Sequence, residues 1–73
     1  MTYPDEADVA ILHELLPNAS PEGALCLGAI MANAAMDNLH LPRQILEQAV
    51  KCTGVDQVDK LYGEYKEAVN RES

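Results

Sequence analysis

The sequence has few aromatic residues: tryptophan and phenylalanine are absent, and the three tyrosines are at positions 3, 62 and 65. A core must therefore be built mainly from aliphatic side chains and methionine. The chain has 73 residues, and a domain of this size buries only roughly 60% of the surface that its unfolded chain exposes. Such a core is marginal alone and is often completed by disulfides, a metal ion or oligomerisation.

Cysteine is also scarce, and the two cysteines do not predict a disulfide framework. Cys26 lies in an uncharged segment and Cys52 in a predicted helix, so we expect both to be free, buried thiols. Together with His13 and His40 they lack the C-x-x-C or H-x-x-x-H spacing of zinc sites. No glycine-rich loop for phosphate groups is present either. The sequence therefore predicts no metal ion and no cofactor.

Positive charge is missing from the first half of the chain. Residues 1–40 contain six acidic residues and no lysine or arginine, whereas residues 41–73 contain six acids and five bases, which gives a net charge of -7. The first half would repel a phosphate backbone and attract a basic protein surface. Acidity of this degree also serves solubility alone.

No basic segment followed by an apolar one occurs at the N-terminus, so we expect no secretory signal and a cytoplasmic location. The longest uncharged segment, residues 23–36, has fourteen residues, whereas a membrane span needs about 20. A membrane protein is therefore not expected.

Helical periodicity occurs in four segments, and no segment alternates with period two. The predicted helices cover about residues 3–16, 21–38, 42–53 and 56–70. Their boundary signals are Thr2, Pro17, Ser20, Pro21, Pro42, Gly54 and Asp56. The predicted fold is all-α: one domain, residues 1–73, in which about four short helices form a small bundle around a central apolar helix.

The second predicted helix is apolar on three sides, which is typical of a helix buried by several neighbours. Its polar strip consists of Glu22, Cys26, Asn33 and Asp37. Small residues recur at every fourth position from residue 24 to residue 32, a spacing that lets another backbone come close. This helix therefore needs cover on most of its surface.

The other three helices offer one apolar stripe each, which would just cover the second helix in a monomer. Because these helices are short and must also pack on one another, we expect a homodimer to complete the cover. The alternatives are a compact monomer and obligate association with a different protein. The predicted helix-packing and dimer-interface residues are Ala24, Gly28, Met31, Ala32 and Ala35.

No group of residues predicts an acid–base or nucleophilic centre, so we do not expect an enzyme. We expect a small acidic protein–protein interaction module that binds and modulates another protein, as an inhibitor or an adaptor. A partner with a basic surface would suit the acids of the first helix, and tyrosine is enriched in interfaces. The candidate partner-binding residues are Asp5, Glu6, Asp8, Glu14, Tyr62 and Tyr65. The tyrosines would serve equally well in a core.

Two further functions were considered. Residues 44–58 resemble a helix-turn-helix, with Gly54 between two helices. The would-be recognition helix begins with Asp56 and Asp59, which would repel phosphates, so nucleic acid is not an expected partner. The acidity also fits a decoy inhibitor of a nucleic-acid-binding protein, although the charge density is modest.

Overall fold

The computed structural model describes residues 5–72. Its four α-helices are α1 (Glu6–Leu15), α2 (Pro21–Met36), α3 (Arg43–Ala49) and α4 (Val55–Glu72), and a 3-10 turn at Leu16–Asn18 follows α1. No strand occurs in this part of the chain. None of these helices has the length and apolar character needed to cross a bilayer. The predicted all-α fold with four helices is thus confirmed.

Side-chain caps fix where α1 and α2 begin. Asp5 is the N-cap of α1: its side chain accepts a hydrogen bond from the Asp8 N–H, and the Asp8 side chain accepts one from the Asp5 N–H, each at 3.1 Å. The predicted N-cap, Thr2, lies outside the described residues. At α2 the prediction is confirmed, because Ser20 Oγ accepts from the Gly23 N–H at 3.0 Å and Pro21 is the first helical residue.

The end of α2 is formed by Asn38, which has a φ of 52°. Its N–H donates to the carbonyl of Ala35 at 3.2 Å, and the N–H of Leu39 donates to the carbonyl of Ala34 at 2.8 Å. This pair of bonds is a Schellman motif, which asparagine supports because it tolerates the left-handed conformation. Leu39 then packs against the core.

Gly54 does not play the predicted part of a left-handed helix terminator, since no described glycine has a positive φ. Helix α3 ends earlier, at Ala49, and the chain leaves it through tight turns such as Cys52 N–H to the Ala49 carbonyl, 3.0 Å. The carbonyl of Gly54 instead accepts from the N–H groups of Gln57 and Val58 at the start of α4.

Helix α2 is central: it packs on α3 and α4, while α1 packs on α3. Half of the buried hydrophobic residues described belong to α2. The buried hydrophobic residues are Cys26, Leu27, Ile30, Met31, Ala34, Leu41, Leu46, Ala49, Val58 and Tyr62. Cys26 is a buried free thiol, as predicted, and Cys52 is a half-buried one whose pKa is raised by burial.

Helix α1 is the least packed of the four. Its only fully buried residue is Asp8, and its core contacts come from half-buried side chains such as Ile11 and Leu15. Val9 in α1 and Leu16 directly after it are 40% and 42% exposed, although both are apolar. Much of the attachment of α1 therefore depends on polar contacts, among them Arg43 Nη1 to Glu14 Oε2 at 2.6 Å.

The first turn of α2 comes very close to the end of α3. Gly23 is buried, and a Cβ built on it would overlap the carbonyl oxygen of Val50, a backbone atom that cannot move alone. Gly63, in contrast, lies in α4 with nothing within 4 Å of a Cβ built there. Gly23 and Gly63 thus differ in the space around them.

We expect Gly23→Ala to lower the free energy of unfolding by roughly 1–3 kcal/mol, because the added methyl group must push α2 and α3 apart. Gly63→Ala is the matched control, and it should raise that free energy by about 1 kcal/mol through helix propensity. Urea denaturation followed by circular dichroism measures both. Equal stability of the two variants would contradict the close approach at Gly23.

Candidate protein interface

The polar strip of α2 lies partly against other elements of the chain, although Glu22 and Asp37 are exposed. Cys26 is 2% exposed, and Asn33 is half-buried. Asp37 Oδ2 accepts a hydrogen bond from the Tyr62 hydroxyl at 2.5 Å and lies 3.1 Å from Lys66 Nζ, so both contacts go to α4. Much of the polar strip is therefore used for contacts within the chain, whereas Glu22 stays exposed.

An apolar side of α2 faces away from the protein instead. Leu25 is 74% exposed and Met36 is 84% exposed, and the residues between them on this side are also exposed. We call this surface the α2 strip; it consists of Leu25, Gly28, Ala32, Ala35 and Met36. Nothing lies within 4 Å of a Cβ built on Gly28. No element of residues 5–72 therefore covers the centre of the strip.

The predicted interface residues are divided between the two sides of α2. Gly28, Ala32 and Ala35 lie on the α2 strip, and Ala24 borders it, half-buried. Met31 is only 9% exposed and packs in the core of the chain. The small residues of the row thus face open space within this chain rather than another of its helices.

The two large residues of the α2 strip are not among the interface residues predicted from the sequence. Leu25 and Met36 lie eleven positions apart, which returns to the same side of a helix after three turns. The signal was available, because both belong to one apolar stripe of the helical wheel. Three apolar stripes compete on this helix, and periodicity alone does not say which of them faces outward.

The tyrosines predicted as partner contacts are used inside the chain. Tyr62 is 8% exposed, and besides Asp37 its hydroxyl reaches the carbonyl of Asn33 at 3.2 Å. The Tyr65 hydroxyl donates to the carbonyl of His40 at 2.6 Å. Burial, followed by the bond to Asp37, raises the pKa of Tyr62 to about 12. Both hydroxyls therefore hold α4 against the end of α2 and the connection that follows it.

The acidic residues predicted as partner contacts are also largely engaged. Asp8 is 1% exposed. Glu14 is bound by Arg43, which lowers the pKa of that carboxyl. Asp5 belongs to the capping box, and the Asp8 N–H is the main cause of its lowered pKa. Of the four acids, Glu6 is exposed and carries none of these contacts.

Asp5, Asp8 and His40 form a cluster that joins the start of α1 to the connection between α2 and α3. One potential ligand atom from each residue lies within 4.8 Å of the other two. Asp8 Oδ1 is 3.2 Å from His40 Nε2. Sequence spacing does not reveal this group, because His40 is far from the two aspartates along the chain.

We expect Tyr62→Phe to destabilise the protein by about 1 kcal/mol, because it removes the hydroxyl that bonds to the end of α2. The substitution should also change how the free energy of unfolding depends on pH in the alkaline range. The pKa of Tyr62 rises from about 10 to about 12 on folding, so its contribution is complete below pH 10 and is lost between pH 10 and 12.

The measurement is the urea midpoint from pH 8 to 12 for the wild type and for Tyr62→Phe. The difference between the two proteins should shrink above pH 10. Tyr65 is present in both and serves as the internal control. A difference that stays constant to pH 12 would contradict the coupling of the Tyr62 hydroxyl to folding.

Comparison with known protein families, with curated proteins and with solved structures finds no match. The function is therefore inferred from the geometry of the described residues. Among the large hydrophobic side chains of residues 5–72, Leu25 and Met36 are the two most exposed, and both lie on the α2 strip.

Proposed function

We propose that this chain is a small protein-binding module that modulates another protein, and that it works as a homodimer formed through the α2 strip. The observation that carries the proposal is the exposure of Leu25 and Met36 on one side of α2, where no element of residues 5–72 covers the centre of the strip. Fully burying one such side chain stabilises by roughly 1.5–3 kcal/mol. Two copies that pack these side chains together bury four of them.

The order of side-chain sizes along the strip suits a second copy of the same helix. Leu25 and Met36 are separated by about 16 Å along the helix axis, given a rise of 1.5 Å per residue. Gly28 and Ala32 lie between them. Two helices that cross at an angle are closest at the crossing and diverge beyond it. Small residues at the centre and large residues at the ends match that shape.

An antiparallel arrangement is the one we propose. A two-fold axis midway between residues 25 and 36 places Leu25 of one copy beside Met36 of the other, twice. The strip itself carries no charged side chain, so no charge is buried at the centre of an interface between two chains of net charge -7. The charged residues of each copy stay at the edge or on the far side.

The proposed dimer acts on a different protein through its acidic surface. Residues 1–40 contain no lysine or arginine, and the acids Glu6 and Glu22 are exposed. Doubling this surface in a dimer would strengthen its attraction to a basic partner. Inhibition and adaptation are both consistent with such binding.

The structure offers little support for the DNA-binding alternative. Arg43, which directly precedes the segment that resembles a helix-turn-helix, is already paired with Glu14 at 2.6 Å and Glu47 at 3.0 Å. The exposed acids Asp56 and Asp59 stand in the first turns of α4. A phosphate backbone would meet these carboxylates first. The decoy alternative shares its acidic surface with the proposal and has no separate observation in its favour.

The dimer is tested by sedimentation velocity of the wild type, Ala32→Glu and the control Ala68→Glu. Both substitutions place glutamate at an exposed helical alanine, but Ala68 lies on α4, away from the strip. We expect the wild type and Ala68→Glu to sediment as dimers and Ala32→Glu as a monomer of unchanged helicity. A buried charge without a partner is strongly unfavourable in an interface.

A monomeric wild type at high micromolar concentration would contradict the dimer. So would a dimer that tolerates Ala32→Glu. If the wild type is monomeric and Ala32→Glu abolishes the capture of a stoichiometric partner from the source cells, the strip binds a different protein instead. Recovery of DNA with the wild type would favour the helix-turn-helix alternative.

A further inference from the structure

We propose that Asp5, Asp8 and His40 bind a divalent transition-metal ion, with Zn²⁺ as the best match. This site is separate from the α2 strip and does not depend on dimerisation. The three residues come from two parts of the chain, the start of α1 and the connection between α2 and α3, and one ligand atom of each lies within 4.8 Å of the others.

The Asp8 carboxylate is the observation that points to a ligand. The residue is 1% exposed, and its Oδ1 receives no hydrogen bond from the described residues. Its other oxygen accepts from the Asp5 N–H. A buried carboxylate oxygen without a hydrogen bond is costly unless a positive charge compensates it. The capping box explains why Asp5 and Asp8 are adjacent, but it leaves this oxygen unsatisfied.

The distance between Asp8 Oδ1 and His40 Nε2 fits two ligands of one ion. They are 3.2 Å apart, which is within ion-pair distance, but the contact is not a hydrogen bond and Oδ1 accepts none. Zinc bonds of about 2.0–2.1 Å at a tetrahedral angle place two ligand atoms about 3.3 Å apart. Asp5 is half-buried and the His40 side chain is 63% exposed, so small rotations can bring the third ligand into place.

The donor set favours zinc over magnesium or calcium. Imidazole nitrogen suits zinc and its first-row neighbours, whereas magnesium and calcium prefer oxygen ligands alone. Two carboxylates neutralise the charge of a divalent ion. They also outweigh the positive end of the α1 dipole, which is equivalent to roughly half a charge. Three protein ligands leave the fourth position to water.

The ion would act as a clamp on α1. This helix has a single fully buried residue, Asp8, and its hydrophobic contacts are half-buried. His40 belongs to the connection that Tyr65 already holds against α4, through the His40 carbonyl. A metal between Asp8 and His40 therefore ties the least packed helix to the rest of the bundle, and its binding energy adds to folding stability.

The test is titration calorimetry of the full chain with Zn²⁺, together with thermal unfolding at saturating Zn²⁺. We expect one Zn²⁺ per chain in the wild type and a raised melting temperature. His40→Asn should weaken the affinity at least tenfold and abolish the rise. His13→Asn is the matched control, because His13 is exposed on α1 and lies outside the cluster. Its affinity should equal that of the wild type.

Two further variants test whether Asp8 is a ligand and whether the Cys52 thiol binds the ion instead. Asp8→Asn keeps the size of the side chain but removes its charge, so it should also weaken binding at least tenfold; if it fails to fold, His40→Asn still decides. Cys52→Ser removes the more accessible thiol and should bind as the wild type does. The proposal is overturned if the wild type does not bind Zn²⁺, if His40→Asn binds equally well, or if Cys52→Ser loses binding.

Discussion

The orientation of α2 about its own axis decides which of its sides faces the core. This orientation is the constraint on which the rest of the structure depends. Leu27, Ile30 and Ala34 are fully buried against the other helices, and the Tyr62 hydroxyl bonds to Asn33 and Asp37 on the adjoining side. With these contacts in place, the helix must present Leu25 and Met36 to the outside. Helix α2 is apolar on three sides, and the other described helices leave one of these sides uncovered.

Much of the fold could be predicted from the sequence, because its signals are local. Ser20 and Pro21 mark the start of α2 correctly, and four segments of helical period give four helices. The errors arise where a local signal competes with packing. Gly54 was expected to end the third helix as a left-handed residue, but α3 already stops at Ala49 and no described glycine has a positive φ. The left-handed conformation occurs at the end of α2 instead, at Asn38.

The candidate sites were harder to predict, because they depend on which side of a helix faces inward. Asp8 and Tyr62 are residue types expected at a surface contact, yet both are buried and hydrogen-bonded within the chain. Periodicity could not choose among the apolar stripes of α2, which is why Met31 was expected at an interface and Met36 was not. The approach of His40 to Asp8 is a tertiary contact that no sequence spacing encodes.

The most direct measurement is an isotope-filtered NOE experiment on a one-to-one mixture of carbon-13-labelled and unlabelled chains. It detects only contacts between different copies. The antiparallel pairing of the α2 strip predicts intermolecular NOEs from the Met36 methyl group to the Leu25 methyl groups, with Ala32 methyl contacts near the axis. The absence of any intermolecular NOE to these methyl groups, at concentrations where Met36 is fully observable, would contradict the account.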